Sequence, residues 1–151
     1  MPLFDKLAIT SPDFENLARI PDRLTADLGN EVPAIEFSGA PAGTAELAVI
    51  VHDPDAPLPN GFTHWVVYGI PADATTLDLE AEGVRGAPSG TTETTWFGPQ
   101  PPHGHGEHHY YFWVYALSES VEGEPTREDF LASYAGSVIE QARYVGTYSR
   151  S

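Results

Sequence analysis

A chain of 151 residues with 22 acidic and 7 basic side chains, formal charge −15, is the size of one compact domain, and residues 1–151 are read as a single unit around one core. Its negative field repels phosphate backbones and anionic lipid surfaces, which excludes nucleic acid and a stable membrane association as partners. With no cysteine there is no disulfide framework, thiolate metal site or thiol nucleophile, so any metal ion would need histidine and carboxylate ligands.

The opening MPLFDKLAIT has neither a basic start nor a long hydrophobic stretch, and no run of eighteen apolar residues follows, so a cytoplasmic location is expected. The acids are scattered through the chain, as a solvated shell suited to a high-salt cytoplasm that screens its self-repulsion. Gly 14 and Pro 14 punctuate short apolar stretches, a pattern of many short strands. ELAVIVH (46–52) is the first strand, β-branched and buried. DPDAPLPNGF follows as a proline-stiffened loop ending in Asn60-Gly61, a turn signal, and HWVVYGI (64–70) returns antiparallel. GPQPP (98–102) leads through HGHGEHH into HYYFWVYAL (109–117), whose aromatics fall on both alternation faces and predict a central strand covered on each side. TREDFLASYAGSVIEQAR (126–143) reads as one helix, with Thr126 as cap and a stripe of Phe130, Leu131, Tyr134, Val138 and Ile139 packed on the core. RYVGTYS (143–149) is a last, weaker strand.

Polar chemistry gathers at two loop-to-strand junctions: DPDAP with His64, and GPQPP with the histidine run. Singly each has a bland reading, Asp53 as a turn former and His64 as a core histidine. Together, in this order and spacing, DPDAP, HW, GPQPP and HHYYFWVYAL resemble the phosphatidylethanolamine-binding protein family, also called Raf kinase inhibitor-like proteins, in its compact bacterial and archaeal form. The resemblance runs over nearly the whole chain. It implies a mostly β fold of two antiparallel sheets packed sandwich-fashion with one or two peripheral helices, and an end pocket that takes anions such as phosphate and phospholipid head groups.

Residue by residue, the resemblance implies that Asp53 and Pro57 begin and end the DPDAP motif. It makes His64 the pocket histidine, and Gly98, His108 and Tyr110 the second motif. That motif reads His-Arg-Tyr in the family, and His109 stands here in place of the arginine. His108 and Tyr110, two apart, share a strand face. A carboxylate, two imidazoles and a phenol make an anion receptor, with one or both imidazoles protonated and backbone N–H groups near Gly98 completing the shell. The expected ligand is a small anion, phosphate or a phosphorylated head group, bound more weakly as pH rises, with no cofactor.

Three alternatives stand beside this reading. A hydrolase could use Asp53 and His64, metal-assisted or not, although no GxSxG motif supplies a nucleophile. His103, His105, Glu107 and His108 are close enough in sequence to ligate zinc, but glycine-rich loops rarely preorganise such ligands, and His103, His105 and His109 are read as solvated. A protein-interaction role with a vestigial pocket has no named partner, and homodimerisation through an exposed strand or aromatic patch has no motif behind it.

Overall fold

The computed structural model describes residues 6–150. Two antiparallel sheets form the body: β1 (Ala8–Thr10) pairs with β2 (Glu36–Ser38), and β3 (Glu46–Asp53), β4 (Phe62–Pro71), β5 (Arg85–Gly86), β6 (His108–Leu117) and β7 (Val138–Tyr148) make a five-stranded sheet of order β5-β4-β3-β6-β7. One helix, α1 (Arg127–Tyr134), precedes β7. The two-sheet, mostly β expectation therefore holds.

β3 is the centre of the large sheet and is buried along its whole length, as its unbroken β-branched run requires. Alternation sends Leu47, Val49 and Val51 to one face, where they meet Trp65, Val67, Phe112 and Val114 and are covered by Ile9, Phe14, Ile20, Leu24 and Phe37 of the amino-terminal segment. Ala48 and Ile50 go to the other face, with Val66, Tyr68, Tyr115 and Leu117, beneath Phe130 of α1. Phe130 is wholly buried.

The predicted helix over 126–143 is corrected. Thr126 does cap, its Oγ1 accepting from the Asp129 N–H at 3.2 Å, but α1 stops at Tyr134, a 3-10 turn covers Ala135–Ser137, and Val138 and Ile139 open strand β7. Glycine at 136 weakens the helix. The edge of β6, meanwhile, offers a ladder of unpaired N–H and C=O groups that this segment satisfies along nearly its full length, from His108↔Tyr148 to Leu117↔Val138. The strand predicted over 143–149 is thus the last half of a longer one.

β6 lies inside the sheet as predicted, but cover on its second face is incomplete. Tyr111 and Trp113 are only half-buried, because the eight-residue α1 reaches only the far half of that face.

Candidate functional site

A cavity of about 240 Å³ opens at the end of the sheet where β3, β4 and β6 bring their loops together, and Asp53, Pro57, His64, His108 and Tyr110 all line it. Leu58, Phe62, Phe97, Pro101 and Pro102 complete walls that are largely apolar.

His64 reaches the cavity through a bulge. Val51 pairs with Trp65 and the next residue, His52, pairs with Thr63, so β4 carries one extra residue, His64, at this step. Strict alternation would turn His64 away from Trp65's face; the bulge re-aims it toward Tyr110, whose ring centroid lies 5.2 Å away. Its Nδ1–H donates to the Phe97 carbonyl at 2.6 Å, which fixes the tautomer and leaves Nε2 as a bare acceptor. Burial lowers its pKa to about 4, against the opposing effect of the carbonyl. His64 is therefore neutral at physiological pH. Of the two imidazoles expected to carry a charge singly or together, His64 is thus excluded, and toward a ligand its Nε2 can only accept.

The second imidazole is held differently. His108 Nδ1 lies 2.6 Å from Asp53 Oδ2, with both side chains almost completely buried. The other carboxylate oxygen accepts the Asp55 N–H at 2.7 Å, so each oxygen of Asp53 holds a donor and the group orients His108. Burial pushes the Asp53 carboxyl above its ordinary pKa, opposed by the hydrogen bonds from His108 and Asp55. Burial also holds the Tyr110 hydroxyl far above the usual phenol value, so it stays protonated, a donor to the cavity.

His105 is not simply solvated. From an exposed loop it places Nδ1 2.7 Å from His108 Nε2, on the one nitrogen of His108 that a ligand could use. Gly104 and Gly106 flank it with positive φ of 72° and 92°, and a Cβ at either would meet open space, so the loop is bounded by permissive joints. His109 turns its ring to Asp55, 2.9 Å from Oδ2, while its N–H donates to the same oxygen at 2.8 Å. This ties the DPDAP loop to the start of β6. His103 is exposed, and among the described residues no group of three or more histidine or carboxylate side chains converges as metal ligands.

Gly98 does not line the cavity. Its N–H donates to Asn30 Oδ1 at 2.7 Å, so it cannot complete an anion shell, and a Cβ there would lie 2.0 Å from the Leu24 carbonyl oxygen. Its role is close approach: it lets the 97–102 wall dock on the 24–30 segment. Asn30, unremarked in the sequence, bridges the two by also donating to the Trp96 carbonyl at 3.1 Å. Gly98→Ala is expected to lower stability by about 2 kcal/mol through backbone displacement, measured by denaturant melts; an unchanged midpoint would show that the wall shifts freely.

This constellation defines a β protein with a preformed small-ligand pocket, polar at its floor and apolar at its walls. The model of the phosphatidylethanolamine-binding protein family matches residues 10–149. The chain belongs to that family. It is 36% identical over 153 residues to a UPF0098 protein of Aquifex aeolicus, covering 95% of this chain and 89% of the relative. A UPF0098 protein of Methanothermobacter thermautotrophicus is 36% identical over 146 residues, covering 91% and 95%. The crystal structure of E. coli YbcL, described as a member of the mammalian family, superposes with a TM-score of 0.89 at 26% identity, over 97% of this chain and all of that one. No helix among the described residues is long and apolar enough to cross a membrane.

Proposed function

We propose that the protein is a binding module for a small phosphorylated anion, free phosphate or a phosphorylated head group, held by His64, His108 and Tyr110, and that it serves as a regulatory or inhibitory component in the cytoplasm. The observation that carries this reading is the buried Asp53–His108 pair at the cavity floor. The aspartate accepts from the Nδ1–H of His108 and orients the ring, whose Nε2, in the cationic form, donates to an anionic oxygen. Tyr110 donates a second hydrogen bond, and the bare Nε2 of neutral His64 accepts the P–OH of a monoanionic phosphate. The apolar walls strengthen each contact by lowering the local dielectric.

His105 competes with the ligand for His108 Nε2. An anion enters when the two imidazoles part, and because only a cationic imidazole donates from both ring nitrogens, affinity falls as pH rises. An NMR titration of the histidine ring signals with phosphoethanolamine at pH 6 and pH 8 tests both points. Saturable shifts at His64 and His108, stronger at pH 6, are expected. His105→Ala is expected to bind about five- to tenfold more tightly at pH 8, having lost one competing hydrogen bond. No saturable shift at either ring would end the anion reading, and release of inorganic phosphate from phosphoethanolamine would replace it with a hydrolase.

A further inference from the structure

The opposite face of the large sheet carries a second open groove of about 270 Å³, lined by His52, Pro54, Tyr111, Trp113, Arg127 and Arg143. It stands back to back with the first pocket: His52 and Tyr111 are the strand neighbours of Asp53 and Tyr110, pointing the other way. The groove lies at the amino-terminal end of α1, whose first residue Arg127 borders it. Phe130 and Tyr134 are spent on the far half of this face, and the near half is left with two half-buried aromatic rings, stacked 6.3 Å apart.

Its charge runs against the rest of the molecule. The chain has six arginines and one lysine against 22 acids. Five arginines, at 19, 23, 85, 127 and 150, have a carboxylate within ion-pair distance. Among the described residues Arg143 is the one arginine outside that pattern. It projects from edge strand β7 with its guanidinium 5.3 Å from the Tyr111 ring centroid and 5.6 Å from that of Trp113. Both rings stand within cation–π reach, and among the described residues no carboxylate pairs with its N–H groups. From the other wall Arg127, the first residue of α1, is paired among the described residues with its sequence neighbour Glu128 at 3.2 Å, a half-exposed contact that competes weakly with a ligand.

We infer that this groove is a second ligand site, for a small organic anion with an apolar or aromatic body. The anionic group meets the guanidinium of Arg143, with Arg127 opposite, and the body lies along Tyr111, Trp113 and Pro54. Shape and charge argue together here. In a molecule of net charge −15 an anion is repelled from almost every other surface, and apolar contact with two rings supplies the affinity that an exposed guanidinium alone lacks.

The test uses Trp113 as its reporter, because Trp65 and Trp96 are 2% and 3% exposed while Trp113 is open to the groove. The full chain is titrated with benzoate and with acetate, following the indole N–H signals, assigned with Trp113→Phe. Benzoate is expected to shift the Trp113 signal saturably, and acetate, charge without body, much less. Arg143→Gln is expected to weaken benzoate binding about tenfold, the worth of one charge-assisted hydrogen bond, and Arg127→Gln severalfold. Absence of a saturable benzoate shift at Trp113 overturns the site. So does unchanged affinity in both arginine variants; Arg127→Gln, which leaves the ring stack intact, decides the matter if Arg143→Gln unfolds.

Discussion

Asp53→Ala is expected to abolish saturable phosphate binding and to destabilise the fold by about 3 kcal/mol, which for a domain of this size lowers the melting temperature by roughly 6–12 °C. Two losses combine. The carboxylate's bond to His108 disappears in a place where both side chains are 3% exposed or less, and the Asp55 N–H loses its acceptor. An imidazole, unlike a guanidinium or an ammonium, has a neutral form at ordinary pH, so no buried unpaired cation need be left behind, which keeps the figure at the low end for a broken buried pair. Asp53→Asn separates the two terms. Its amide oxygen can accept from His108 or from Asp55, not both, and its NH2 faces a donor at the other position. About half the stability should return while anion binding stays weak, because the amide can no longer accept from both donors and so holds His108 less firmly in place. Chemical denaturation gives the stability, and the same NMR titration gives the binding. A wild-type melting curve for Asp53→Ala would mean that the pair is not part of the fold's framework.

The stretches that could be read from the sequence are those where one local pattern is long enough to outvote its surroundings. ELAVIVH is continuous and β-branched, and it is the central strand; DPDAPLPNGF carries proline and Asn-Gly punctuation, and it is the loop walling the cavity. What escaped depends on a partner distant in sequence. VIEQARYVGTY has acceptable helix formers and apolar residues at helical spacing, and only the open edge of β6 makes it a strand. His64 was found through resemblance, whereas the bulge that turns it into the cavity shows only in the register against β3. The resemblance puts Gly98 in the second motif, with backbone N–H groups near it on the ligand, yet its own N–H goes to Asn30, 68 residues away. The amino-terminal cover, with Phe14, Ile20 and Leu24, has too few regular elements to announce itself by periodicity.

Four histidines within seven positions suggest a shared purpose, yet they divide. His108 belongs to a buried pair, His105 contacts it from outside, His109 fastens the DPDAP loop through Asp55, and His103 lies exposed. The period-2 geometry of β6 performs the division, because His108 faces the core and His109 cannot. Where the family motif has arginine, His109 still finds a carboxylate, but as a half-exposed pair at 2.9 Å, a modest contact.

Acidification should unfold this protein in a window set by two buried histidines. His52 and His64 both have pKa values lowered to about 4. Burial is the main cause in each, with the nearby Arg127 charge adding to it at His52. In the unfolded chain both return to about 6.5. Between these values the unfolded state binds more protons than the folded one, so stability is fully present above pH 6.5 and is lost as pH falls toward 4. Each ring contributes at most about 3 kcal/mol. Two effects act in opposition. Asp53, with its pKa raised, contributes in the reverse sense, favouring the fold as pH falls. The chain also sheds its net charge on approaching its pI of about 4.5, which relieves self-repulsion. Salt at about 1 M shortens the screening length to roughly 3 Å and removes most of that second effect, so the melting series belongs in high salt. There the melting temperature is expected to hold level from pH 8 to 6.5 and to fall steadily from 6.5 to 4.5. His52→Gln should start lower, having lost the 3.0 Å contact with Thr63, and should fall with about half the slope. A melting temperature that stays level or rises between pH 6.5 and 4.5 would mean that the folded chain accepts the charge on both rings, and with it the assignment of His64 as a neutral acceptor at the pocket floor would fall.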